Sequence, residues 1–324
     1  MLYPLKFKPV FKDKIWGGQK IKTSLGLDFS PLQNCGEAWA LSGVPDGQTI
    51  ISNGFLEGNE LNEILDIYMD ELVGERIYEK YPHEFPILVK FIDANDWLSI
   101  QVHPDDALAA RRKIGNGKTE MWYVLDADPG AELITGFAGK MNAASYLEHQ
   151  NQKKLKDALN FEKVAKGDVF FIPAGRVHAL GPGILLAEIQ QTSDTTYRIY
   201  DWDRLDGEGR SRELHTDLAL EAIDFSPVDS YRTTYHREMN NSVALVECPF
   251  FTTNLLEFDC LTPKDYSELD SFVIYVCVEG KAVLQSGEVS VPLQKGEVVL
   301  LPATTELISL FPEPYIKVLE VYIL

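Results

Sequence analysis

KGDVFFIPAGRVHAL, Lys166 to Leu180, decides the fold, because the chain writes it twice. From Lys295 onward it reads KGEVVLLPATTELISL: again Lys-Gly-acid, an apolar β run, then Pro-Ala. A β run containing Tyr-Val precedes each copy, MWYVLDA the first and FVIYVCV the second. Repeated β units of this kind imply two related sandwiches or barrels. In the second copy Leu307 stands where the first has His178. The scaffold is shared, so His178 serves something the fold alone does not require. Around it stand Pro173 and Gly175 on one side, and Gly181, Pro182 and Gly183 on the other. Strand interiors avoid both residue types, so these mark bends or close backbone approaches.

Outward from that stretch, most of the chain reads as short β segments, among them FPILVKFID, WLSIQVH, ELITGF, ILLAEIQQ and VVLLP. Helical spacing of apolar residues appears in patches. LNEILDIYMDELVGERIYEKY carries it clearly and AASYLEHQNQKKLKDALNF more weakly, while SRELHTDLALEAIDF reads as a capped helix starting near Ser211. The polar stretch from Ser226 to Asn241 reads as a linker. The expected architecture is mainly β: two jelly-roll or β-barrel units with helical insertions. A catalytic unit would span residues 1–230 and a C-terminal one, without a metal site, residues 240–324.

The 324 residues carry 49 acidic against 30 basic side chains, a formal charge of -19. Such a field repels polyanions, which argues against nucleic acid and anionic membrane surfaces as partners. No run approaches the roughly 18 apolar residues of a membrane span, and the opening MLYPLKFKPVFKDKIWGG lacks a signal peptide's apolar stretch. Cys35, Cys248, Cys260 and Cys277 are widely spaced, with no CxxC pair. Free thiols in a reducing cytoplasm are therefore expected, rather than a disulfide framework or a cysteine zinc site.

With six histidines in all, the position of each counts. In WLSIQVHPDD, period-two alternation puts Leu98, Ile100 and Val102 on one face and Ser99, Gln101 and His103 on the other. GKTEMWYVLD offers Lys118 and Glu120 together at the start of an apolar strand. Gln101, His103, Glu120 and His178 then supply two imidazoles, a carboxylate and an amide oxygen. This mixed set suits a borderline divalent ion, zinc first, with Mn, Fe or Co as alternatives. Further on, LLAEIQQTSDTTYRIYDWDR puts Glu188 and Gln190 on one face, and Arg198 inside a tyrosine-rich strand where a cation calls for an anionic neighbour.

GDVFFIPAGRVH follows the second cupin motif, and the chain resembles the type I mannose-6-phosphate isomerases in their short bacterial form. IWGG, GEAWALS, PILVKFIDANDWLSIQVHPDD, GKTEMWYVLDA, FIPAGRVHALGPG and TYRIYDWDR carry the resemblance over nearly the whole length. It implies a cytoplasmic aldose–ketose isomerase that interconverts mannose 6-phosphate and fructose 6-phosphate through a cis-enediol(ate). One Zn²⁺ per chain would be held by Gln101, His103, Glu120 and His178. The family's active-site arginine falls on Arg198, its lysine on Lys118 and a pocket glutamate on Glu188. Longer relatives read His-Lys-Pro-Glu where this chain has Gly117-Lys118-Thr119-Glu120, so no role of that histidine carries over. The proton-moving base is Glu188 or a metal-bound water. The substrate phosphate would be met by Lys90, Lys118 or Arg204 with the Ser99 hydroxyl. Another metal-dependent double-cupin enzyme, an oxygenase or another sugar-phosphate isomerase, and a sugar-responsive regulator are the rival readings. Gln101 in the ligand set argues against the oxygenase, and retention of Arg198 and Glu188 against the regulator.

Overall fold

The strands Ile87–Ala94, Glu120–Ala127 and Ile184–Gln191 are eight residues each and lie antiparallel side by side in the computed structural model, which describes residues 2–205 and 209–324. They form the middle of a seven-stranded sheet, flanked on one side by Val169–Ile172 and Arg232–Thr233 and on the other by Glu37–Leu41 and Val10–Lys12. A five-stranded sheet makes the second layer, in the order Tyr197–Tyr200, Ile100–Val102, His178–Leu180, Glu132–Phe137, Leu159–Lys163. Between the layers sits an apolar cluster that includes Ile92, Trp122, Val124, Ile184 and Leu186. The outer face of the five-stranded sheet is covered by the helices Asp106–Arg112, Ala143–Asn151 and Thr216–Ala222, which contribute Leu108, Tyr146 and Ala219.

The third sheet has nine strands and belongs mainly to the C-terminal repeat. Its long strands Val273–Ser286 and Leu307–Tyr322 pair along most of their length, with register shifts between Cys277 and Glu279 and between Gly280 and Ala282. At Gly280, φ is +74° and a Cβ would meet the Tyr315 carbonyl oxygen, so the corner needs a glycine. The sheet curls around its own core of Leu256, Phe258, Tyr275, Leu284, Leu310 and Val318.

The repeat is visible in backbone detail. Gly167 and Gly296 hold φ of +91° and +88°, and their N–H groups donate to Val124 and Cys277 at 2.8 and 2.9 Å. The acid that follows folds back in both copies: Asp168 accepts from Ala165 N at 2.8 Å and Glu297 from Gln294 N at 3.0 Å.

One large core joins the two units. Odd-numbered residues of the seven-stranded sheet (Val89, Phe91, Met121, Tyr123, Leu185, Ala187, Ile189) pack with Ile274, Val276, Val298, Leu300, Leu319 and Val321 of the nine-stranded one. Both faces of the seven-stranded sheet are thus buried, which is why its strands read as continuous apolar runs with a few polar interruptions. The division near residue 230 is also crossed: Leu5–Lys8 pairs with Val298–Leu301, at Leu5↔Leu300, and with Ile50–Ile51.

Several local readings differ. LNEILDIYMDELVGERIYEKY is three helices, Leu61–Tyr68, Asp70–Val73 and Glu75–Lys80, broken where Met69 and Gly74 take φ of 50° and 96°. The helix expected from Ser211 begins only at Thr216, after His215, with no side-chain cap. The expected linker contains the edge strand Arg232–Thr233, and Tyr235 donates to the Gly167 carbonyl at 2.6 Å. Among the described residues, no helix is long and apolar enough to cross a membrane. The four cysteines are unpaired.

Candidate active site

Alternation along the three central strands aims their even-numbered residues into the sandwich, among them the polar Lys90, Glu120, Glu188 and Gln190. Cross-strand register sets Glu188 beside Lys90 and Trp122, and Gln190 beside Glu120. From the opposite layer come Gln101 and His178, directly paired, with Arg198 the partner of Gln101 on its other side. Only Ile100–Val102 is strand there, so Leu98 leaves the face expected for it with Ile100 and Val102 and lines the interior cavity with Ser99 and Gln101. That cavity encloses about 290 Å³.

His103, Glu120 and His178 are fully buried, and their donor atoms lie within 4.8 Å of one another. Each imidazole is oriented from behind. His103 Nδ1 meets the Thr195 carbonyl at 2.9 Å and His178 Nδ1 the Arg176 carbonyl at 2.9 Å. A carbonyl only accepts, so Nδ1 carries the proton in both rings and Nε2 presents a lone pair inward, the arrangement of metal-binding histidines. The Pro-Ala-Gly bend supplies part of this: Gly175, at φ +87°, donates to the His103 carbonyl at 2.9 Å, tying the two histidine loops together. Gly181, just past the His178 strand, passes so close to the Glu132 carbonyl that a Cβ would collide with its oxygen.

The inward-facing atoms are a donor set in search of a cation. Both Glu120 oxygens are buried, and Oε1 has no hydrogen-bond donor among the described residues. Lys118 Nζ lies 2.7 Å from Glu120 Oε2 and 3.0 Å from His103 Nε2, so an ammonium already answers the set. His178 Nε2 faces Glu120 Oε1 at 3.4 Å and the Gln101 side-chain amide at 3.3 Å. Burial, helped by the Lys118 charge, holds the His103 imidazole well below its usual range; burial lowers His178 to about 4. Burial and the neighbouring Glu188 carboxylate push Glu120 up. Neutral imidazoles and a carboxylate crowded by a second one fit a divalent ion.

Glu188 behaves differently. Burial alone would raise it, but Lys118 and Lys90, with a 2.8 Å hydrogen bond from Trp122 Nε1, outweigh burial and keep it ionised. Lys90 Nζ is 3.3 Å away and, despite burial, is held charged by Glu188 and Glu37. Arg198 lines the cavity, donates Nη1 to the Glu213 carbonyl at 2.7 Å, and keeps a buried Nε without an acceptor among the described residues. Arg204, one of the expected phosphate contacts, does not line the cavity; it turns to Asp201 at 2.6 Å and Asp96 at 3.5 Å.

The cavity also exposes Lys14, Trp16, Glu37, Asp194, Thr196 and Arg212, to which the sequence assigned no role. Glu37 was visible in GEAWALS and Asp194 in the turn before Arg198. Arg212 was hidden by reading SRELHTD as a helix start. Gly117 explains the missing histidine of longer relatives, since a Cβ there would stand 2.5 Å from Asp106 N.

Two packed β-sandwiches, one enclosing a buried nitrogen–oxygen set able to hold a metal ion beside an ionised glutamate and an arginine, have the architecture of a metal-dependent double-cupin enzyme. Residues 4–160 match the catalytic domain of phosphomannose isomerase type I, and residues 241–311 the cupin domain of mannose-6-phosphate isomerase. The chain is 37% identical over 310 residues to mannose-6-phosphate isomerase ManA of Bacillus subtilis, covering 92% of this chain and 93% of the relative. It is 35% identical over 312 residues to mannose-6-phosphate isomerase of Streptococcus mutans, covering 94% of both. The crystal structure of mannose 6-phosphate isomerase from Bacillus subtilis superposes with a TM-score of 0.88 at 32% identity, over 100% of both chains. This chain belongs to the type I mannose-6-phosphate isomerase family.

Proposed function

We propose that the protein interconverts mannose 6-phosphate and fructose 6-phosphate, with one Zn²⁺ per chain held by Gln101, His103, Glu120 and His178. The observation that carries this reading is the buried His103–Glu120–His178 set, its imidazoles neutral and aimed inward, with His178 lining a cavity that also holds Gln101, Lys118, Glu188 and Arg198. Zinc there would act as a Lewis acid on the carbonyl and hydroxyl oxygens of the open-chain sugar, making the α-proton acidic. Glu188, ionised under the charges of Lys118 and Lys90, takes the proton from one carbon and returns it to its neighbour. Arg198 presents a fixed cation to the oxygen where charge develops, in a pocket shielded from water. Lys118, which lines the cavity 2.7 Å from Glu120, donates to a sugar oxygen. Four unpaired cysteines support a cytoplasmic setting.

The test is metal analysis of the purified protein together with a coupled assay on mannose 6-phosphate, before and after chelation. One zinc per chain and turnover that is lost with the metal and restored by zinc are expected. A protein that turns over mannose 6-phosphate at full rate after complete chelation would sink the assignment.

A further inference from the structure

Five cations line the cavity, and they are not equivalent. Each lysine has a carboxylate of its own: Lys14 with Glu37 at 3.2 Å, Lys90 with Glu188 at 3.3 Å, Lys118 with Glu120 at 2.7 Å. Among the described residues the arginines do not. Arg198 is held through a backbone carbonyl, and Arg212 shares Asp201 with Arg204, two guanidinium groups on one carboxylate. Arg212 reaches Asp201 through Nε and Nη2, a fork that fixes its plane, while about a third of its side chain stays exposed. The two arginines are neighbours: after burial, the Arg212 charge is the strongest influence holding Arg198 below its usual range. Surplus positive charge in this cavity is therefore concentrated on Arg198 and Arg212.

A sugar phosphate has a reacting end and a dianionic end. The reacting end belongs with the fully buried set His103, Glu120 and His178, and the dianion with unneutralised charge nearer the surface. We propose that Arg212, set in place by Asp201, grips the substrate's phosphate and so selects phosphorylated over unphosphorylated sugar. Planar guanidinium groups suit phosphate oxygens, and one already braced loses little freedom on binding. The assignment rests on the isomerase reading above. It relieves Lys90 and Lys118 of phosphate duty, since their partners are Glu188 and Glu120.

The test uses zinc-loaded wild type, Arg212→Gln and Arg212→Lys. It measures kcat/KM on mannose 6-phosphate and on unphosphorylated mannose, and the competitive inhibition constant of inorganic phosphate. In Arg212→Gln, the preference for the phosphorylated sugar should fall roughly 10- to 100-fold, the loss of one charge-assisted contact, with the inhibition constant rising in parallel. Arg212→Lys, which keeps the charge without the fork, should lie between. Equal losses on both sugars with a lowered melting temperature would make Arg212 a structural partner of Asp201 and overturn the proposal, as would an unchanged inhibition constant in Arg212→Gln. A wild-type protein inactive on mannose 6-phosphate would instead overturn the isomerase reading.

Discussion

His103 and His178 each have one nitrogen fixed by a backbone carbonyl and the other free for a ligand, so neither can be replaced by a side chain that merely fills space. Alanine at either position should lower zinc affinity by orders of magnitude, read as metal content after dialysis; full loading of both variants would place the site elsewhere. Arg198 is a different case, because it is tied to the fold chiefly by its backbone and one carbonyl contact. Arg198→Ala should keep its zinc and its melting temperature and lose about 10²–10³ in kcat, as when one oxyanion donor is removed. A stability loss with intact turnover would make it a structural arginine. Glu188→Gln keeps the hydrogen bond from Trp122 but cannot take a proton, and should lose kcat likewise with zinc retained. At this scale the sequence was informative wherever spacing and chemistry coincided: Gln-x-His, Lys-x-Glu and the bend before His178 name the set. It was silent on Arg212 and Asp194, which line the cavity, and it could not show that Arg204 turns to Asp201, because charge was visible and direction was not.

The elements that carry these side chains are held by contacts a substitution can probe. A Cβ at Gly181 would press on the backbone oxygen of Glu132, which cannot swing away. Gly181→Ala should therefore cost about 1–3 kcal/mol of stability and, by shifting the His178 strand, weaken zinc binding; unchanged values of both would refute the tight fit. At the start of the helix Lys20–Leu25, the buried Asp93 accepts from Lys20 N at 2.6 Å, yet burial pushes its carboxyl up to about 6. The folded state thus favours the protonated form, so Asp93 costs stability as pH rises from about 4 to about 6, by up to ~3 kcal/mol. Asp93→Asn, which keeps an acceptor, should be more stable than wild type above pH 6, with the gap closing toward pH 4; a gap independent of pH would count against this. Strands were legible as elements because apolar runs and glycine punctuation mark them. The breaks at Met69 and Gly74 were not, since a helical period continues across them.

At the scale of the molecule, one core runs through both units, and little in the residue pattern signals it, because burial on both faces erases the alternation that would show which face meets which. Two folding units were expected from the repeat. The shared core, the crossing strand Leu5–Lys8 and the Lys166–Glu279 ion pair at 3.0 Å argue that they unfold together. Calorimetry should show one transition, and Leu300→Ala, deep in the shared core, should lower it as a whole by about 3 kcal/mol. Two separable peaks, only one of them moved by the substitution, would show independent units.

The pairing of Leu5 with Leu300 also sets a schedule. A ribosome adding roughly 5–20 residues per second needs on the order of 15–60 s to make the chain that separates them. For most of that interval the strand Leu5–Lys8 is outside the exit tunnel with Ile50–Ile51 available but Val298–Leu301 unmade, and the apolar face of the seven-stranded sheet lacks the nine-stranded sheet that packs on it. The nascent chain is therefore a client for holding chaperones until its last strands emerge. Synonymous changes that slow translation late in the message should lower soluble yield more than the same changes placed early.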